Sequence, residues 1–171
     1  MPLILRPYER GDEVAALRAR EELAREGFEY LWGFDPRGSW EDFLAILARR
    51  AEGRDLPEGS VHSVLLGGFV DGELVGQVSV RFALNEFLAA RGGHVGYAVR
   101  PAFRRRGHAS ELLRRGLVLA NEHGIDPVLV TCHVNNLGSA RVIERAGGAF
   151  ESIYLDPDDG GFRRYWFHGA R

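Results

Sequence analysis

The segment Arg100-Pro101-Ala102-Phe103-Arg104-Arg105-Arg106-Gly107-His108-Ala109 sets three adjacent guanidinium groups, a glycine and a small residue where an apolar run gives way to a helical pattern. Such a turn suits an anion. The first turn of a helix carries N–H groups without intrahelical acceptors and a partial positive charge of roughly half a unit. Gly107 and Ala109 keep side-chain bulk out of the approach, while Arg104, Arg105 and Arg106 offer forked donors to phosphate oxygens. A pyrophosphate fits that chemistry. The competing reading is a solvated arginine patch in which Gly107 only turns the chain, because short Gly/Arg loops are frequent. A second polar helix start follows a buried strand: Asn135-Asn136-Leu137-Gly138-Ser139-Ala140-Arg141-Val142-Ile143-Glu144-Arg145-Ala146-Gly147-Gly148.

The elements that must position these segments can be read from periodicity. Leu3 to Leu5 is a short strand, and Gly11-Asp12 offers a cap for a charged helix to about Glu26, with Val14, Leu17 and Ala24 on its apolar side. Ser39 caps a second helix whose Trp40, Phe43, Leu44, Leu47 and Ala51 form one buried stripe. Val61 to Val70 and Glu73 to Leu84 flank Asp71-Gly72, a hairpin signal. Asn85 to Gly93 reads as a loop, and His94 to Val99 as a strand stopped by Arg100-Pro101. Ala109, Leu112, Leu113, Gly116, Leu117 and Ala120 share one face of a helix ending near His123, with Gly124 as its stop. Pro127 to Cys132 is a buried strand, and Leu137 to Ala146 a short helix. Ala149 to Leu155 and Phe162 to Phe167 flank an acidic turn and close the sheet.

The 171 residues fit one mixed α/β domain spanning 1–171, and 45% hydrophobic with 27% charged residues is a globular composition. A net charge of −2 argues against a nucleic-acid or membrane-surface protein. All 22 basic residues are arginine, a bias that carries no function by itself. Cys132 is the single cysteine, which excludes an intrachain disulfide framework and an all-cysteine metal site. The apolar stretch at Met1 to Arg6 is too short for a signal peptide, and no run approaches a membrane span. A cytoplasmic protein without a metal is expected.

The two polar segments, in this order, resemble those of the GNAT superfamily of acetyl-CoA-dependent N-acetyltransferases. Arg104, Gly107 and Ala109 match its Arg/Gln-x-x-Gly-x-Gly/Ala pyrophosphate loop, and Asn136 with Ser139 its later Asn-x-x-Ser helix start. Gly92 to Pro101 and Arg164-Tyr165-Trp166 are similar to a group of bacterial acetyltransferases. The resemblance covers nearly the whole chain. It implies a mixed, mostly antiparallel twisted sheet flanked by helices, with a V-shaped splay between the strand at His94 to Val99 and that at Pro127 to Cys132. Acetyl-CoA is the implied co-substrate, its pantetheine arm lying in the splay like an added strand. Backbone groups near Ala98 and Val99 would pair with it, Arg104, Arg105, Arg106, Gly107, His108, Ala109 and Ser110 would hold the pyrophosphate, and Asn136 would fix the arm from the other side. The N–H of Val99, or a neighbour's, would steady the thioester oxyanion. One departure stands out: many members carry a Tyr before the helix Glu as thiolate proton donor, and this chain has Ile143.

An alkyl amine of pKa near ~10.4 needs more than about 4 kcal/mol to free its lone pair at pH 7, so a base helps. His94 is the first candidate and His133 the second, each with a structural role as its alternative. Glu73 and Glu86 are carboxylate candidates. Tyr97 could set its hydroxyl near the thioester, or be a core aromatic. Cys132 reads better as a small core residue than as an acetyl carrier, so direct transfer in a ternary complex is expected. As in similar enzymes, the acceptor pocket would draw on Phe28, Tyr30, Trp32, Phe34 and Asp35 and on Asp156, Asp158 and Asp159. These suit a small-molecule or peptide amine, cationic in form. The competing functions are a non-catalytic acyl-CoA-binding or regulatory module and, through the arginine run, nucleic-acid binding. No nucleic acid and no membrane are expected as partners, and a homodimer is left open.

Overall fold

The computed structural model describes residues 2–169. Seven strands form one sheet in the order β1 (Ile4–Pro7), β2 (Ser63–Val70), β3 (Glu73–Arg81), β4 (Val95–Val99), β5 (Val128–His133), β7 (Gly160–Phe167), β6 (Ala149–Asp156). Every neighbouring pair is antiparallel except β4 with β5. Asp71 and Gly72 both take positive φ, 52° and 80°, which matches the twist of the β2–β3 hairpin and explains the Asp-Gly pair there.

Four α-helices cover the sheet: α1 (Glu13–Ala24), α2 (Trp40–Glu52), α3 (His108–Glu122) and α4 (Leu137–Arg145). Leu112 and Leu113 of α3 and Ala140 and Ile143 of α4 pack with Val78, Val95, Val130 and Tyr165 on one face. On the other, Ala16, Ala19 and Leu23 of α1 and Trp40 and Phe43 of α2 pack with Tyr8, Tyr30, Leu74 and Ala98. The capping box at Ser39 forms as its spacing implies: Ser39 Oγ accepts from the Asp42 N–H at 3.0 Å, a bond of the kind that contributes about 1 kcal/mol.

Three expectations need correction. Helix α1 buries the Ala16, Ala19, Leu23 stripe and leaves Ala24 exposed and Val14 81% exposed, because its two alanines and Leu23, and not its valine, face the core. Ala51 at the end of α2 is likewise exposed. The stretch 85–93 is more than a loop: Asn85 Oδ1 accepts from the Leu88 N–H at 2.9 Å and starts a π-helical turn over Leu88–Gly92.

Between β4 and β5 the ladder has a single registered pair, Val95 with Val130. Beyond it the strands part. On the other side β4 is fully paired with β3, and the Arg100 N–H to Val75 carbonyl bond at 2.9 Å sets which way its groups point. Ala98 therefore directs its backbone at Gln77 of β3, whereas Tyr97 and Val99 direct theirs at the gap.

Candidate active site

Arg105 and Gly107 both have positive φ, 64° and 83°, immediately before α3. No neighbour lies within 4 Å of where a Gly107 Cβ would stand, so glycine is required there by backbone conformation and not by crowding. The N–H groups of Arg105 to Ser110 donate to no acceptor among the described residues, until Glu111 closes the first turn onto the Gly107 carbonyl at 3.1 Å. Consecutive amides in such a bend form an anion-binding concavity reinforced by the helix dipole. Arg105 and Arg106 are exposed beside it, while His108 and Ala109 are partly covered.

Arg104 is engaged elsewhere. Its Nη1 and Nη2 fork onto Glu26 at 3.0 and 2.6 Å, and its Nε donates to the Val99 carbonyl at 3.1 Å. One turn earlier on α1, Glu22 takes the matching fork from Arg100 at 2.9 and 2.8 Å. Two arginines four residues apart thus grip two glutamates four residues apart, tying α1 to the loop.

Across the gap, Asn136 caps α4 by accepting the Ser139 N–H at 3.0 Å through Oδ1. The Ser139 hydroxyl shares a hydrogen bond with that of Tyr97 at 2.9 Å, so a β4 side chain reaches α4 at this point. Burial pushes the Tyr97 phenol up to about 12. Ile143 is fully buried in the core. Cys132 is also buried, and burial raises its thiol to about 11, which suits a core residue.

Both candidate bases have their basic nitrogen occupied. His94 sits where β4 and β5 meet: its Nδ1 accepts the Leu129 N–H at 2.9 Å, and its backbone N–H donates to the Leu129 carbonyl at 2.7 Å. Burial first, then Arg81, lowers its pKa. His133 accepts from the Asn135 N–H through Nδ1 at 3.2 Å and donates from Nε2 to the Asp159 carbonyl at 3.0 Å. The acidic turn is also less available than its composition implies, because Arg91 pairs with Asp156 at 3.0 Å and Asp159 at 3.1 Å. Tyr30 is fully buried and bonded to the Tyr8 hydroxyl at 3.0 Å, whereas Phe28 and Trp32 remain exposed.

A sequence profile described as acetyltransferase (GNAT) domain matches residues 2–149. The chain belongs to the GNAT acetyltransferase family. Its fold agrees with that of solved GNAT-type structures. Mycobacterium smegmatis RimJ in complex with CoA-disulfide superposes with a TM-score of 0.74 at 22% identity, over 98% of this chain and 82% of that one. A Salmonella typhimurium acetyl transferase that modifies the N-terminal serine of a 50S ribosomal subunit protein gives 0.70 at 17% identity, over 98% and 95%. Salmonella typhimurium yncA with its cofactor acetyl-CoA gives 0.65 at 15% identity, over 97% and 93%. At these identities the likeness is one of fold. No curated protein is significantly similar to the chain in sequence.

Within this GNAT frame, sequence reasoning did not find Glu22, Glu26 or Arg91. Each acts through an ion pair between residues far apart in the chain, and no local pattern signals that. Among the described residues no helix is long and apolar enough to cross a membrane.

Proposed function

We propose that the protein transfers the acetyl group of acetyl-CoA to a primary amine by direct attack within a ternary complex. The observation that carries this reading is the row of unpartnered amides from Arg105 to Ser110, next to a strand gap whose β4 side offers backbone groups of Tyr97 and Val99. The amides and the α3 dipole would hold the pyrophosphate, aided by Arg105, Arg106 and His108, with Gly107, Ala109 and Ser110 shaping the bend. Val99 and Tyr97 would pair with the pantetheine amides and with the thioester oxygen, where an N–H steadies the charge that builds during attack. Ala98 contributes through β3 pairing instead of direct contact. Asn136 Nδ2 and the Ser139 hydroxyl would flank the arm from α4.

In the transfer, the new N–C bond replaces the C–S bond, the amine gives up a proton, and the sulfur leaves with its electron pair. Tyr97 takes the donor's part that Ile143 cannot. Its phenol stays protonated across the working range and is aligned by Ser139. His94 and His133, with their lone pairs held by backbone N–H groups, orient the strands, and the amine proton passes to water. The buried Cys132 supports direct transfer over an acetyl-cysteine route.

The engaged histidines favour one other reading, an acyl-CoA-binding module without turnover. A thiol reagent that monitors release of free CoA over a panel of amines separates the two: turnover with any amine supports transfer, and binding without release supports the module.

A further inference from the structure

Gln77, Ser79 and Arg81 alternate along β3 on the face that carries α1 and α2, opposite α3. Gln77 Oε1 accepts from the Tyr8 hydroxyl at 3.2 Å, and Ser79 Oγ reaches the Gly96 carbonyl at 3.5 Å. The Arg81 guanidinium lies over Gly96 of β4: a Cβ there would stand 3.0 Å from Nη1 and 3.3 Å from Nη2. Glycine at 96 is what lets the guanidinium rest on the strand, one residue before Tyr97, whose backbone faces the gap.

Arg81 has no carboxylate partner among the described residues. Burial is the one cause that moves its pKa, downward to about 10. Nη1 donates to the Gly92 and Gly93 carbonyls at 3.1 and 3.4 Å, but Nε and Nη2 donate to no described residue. Among the described residues the side-chain nitrogens sealed from solvent without a partner are Arg50 Nε and Arg163 Nε, so the spare donors of Arg81 keep some contact with solvent. In the acidic turn, Asp156 and Asp159 pair with Arg91. Holding a guanidinium half out of water without a counter-ion is costly, and its planar fork matches a carboxylate.

Resting on the acetyl-transfer reading above, we propose that Arg81 binds a carboxylate of the acceptor, which makes the acceptor a small amine that carries a carboxylate, such as an amino acid, in place of a purely cationic amine. The spare Nε and Nη2 donors of Arg81 then hold the carboxylate on this face of β3. The amine end would lie along β4 toward Tyr97 and the gap.

The test compares ω-amino acids from glycine to 6-aminohexanoate with their methyl esters, on protein saturated with CoA for calorimetric binding and with acetyl-CoA for initial rates. At least one acid should bind and react about tenfold or more better than its ester, as expected for a charge-assisted pair. In Arg81→Gln that preference should vanish, in Arg81→Lys part of it should return, and CoA affinity should be unchanged in both. Equal treatment of acids and esters by the natural protein overturns the proposal, as does a preference that survives Arg81→Gln. If Arg81→Gln does not fold, the acid-to-ester comparison on the natural protein decides alone. Turnover with esters and alkylamines but no preference for acids refutes the carboxylate site and leaves acetyl transfer standing. Binding of acids without turnover of any amine does the reverse.

Discussion

The hydroxyls of Tyr97 on β4 and Ser139 on α4 meet at 2.9 Å, joining the two sides of the gap. If Tyr97 protonates the leaving sulfur, Tyr97→Phe lowers kcat about 100-fold, within the usual range for a general acid, and leaves CoA affinity alone. Burial holds the phenol near 12, so the natural protein should show no loss of rate from Tyr97 between pH 7 and 10. Steady-state kinetics of the two proteins check both points.

With the lone pairs of His94 and His133 held by N–H groups, the acceptor amine sheds its proton to water, and kcat/KM should rise about tenfold per pH unit from pH 6 to 9. His94→Ala should keep that slope. A plateau in the natural protein with an inflection below the ordinary histidine value that vanishes in the variant would restore His94 as the base.

His94 also bears on stability. Its folded pKa is lowered, so the folded state binds fewer protons than the unfolded one below about pH 6.5. Stability is then complete above the unfolded value and falls as pH drops through the folded pKa. Urea midpoints of the natural protein should decline between pH 6.5 and 5, and His94→Gln should flatten that decline.

Glu22 has its pKa lowered mainly by the hydrogen bond from Arg100, so its contribution is present above the ordinary glutamate value and lost as pH falls through the folded one. The Arg100 side chain is 8% exposed. Glu22→Ala leaves that charge enclosed without its carboxylate and should cost about 3 kcal/mol at pH 7, read from denaturant unfolding. Arg100→Met/Glu22→Leu together should cost less than the single change.

Arg104 is held by Glu26 and by the Val99 carbonyl, one of the groups that an added strand would need. Glu26→Gln loosens that hold and should raise CoA affinity about threefold at low salt, the size of a partly exposed ion pair. Arg104→Ala should weaken binding. Calorimetry on both variants gives the signs.

Much of this architecture was legible in local pattern. The Ser39 box, the Asp71-Gly72 turn and the α3 stripe each obey rules that act within a few residues, and the structure follows them. The loop before α3 was legible for the same reason, since Gly107 marks a left-handed position ahead of a helical stripe. What escaped depends on register and long-range pairing. The direction of the Ala98 backbone follows from β3, and the pairing of Asp156 and Asp159 from Arg91, more than 60 residues away by the count from 91 to 156. The inward set of α1 escaped because alanines carry that contact and its valine does not.

The most direct measurement is isothermal titration calorimetry of coenzyme A into the purified protein and into Gly107→Glu. The account predicts one site per chain in the natural protein, weakening steeply with salt, and a loss of affinity of tenfold or more when a carboxylate is set among the Arg105 to Ser110 amides. No heat from the folded natural protein, or equal affinity in the variant, would contradict it.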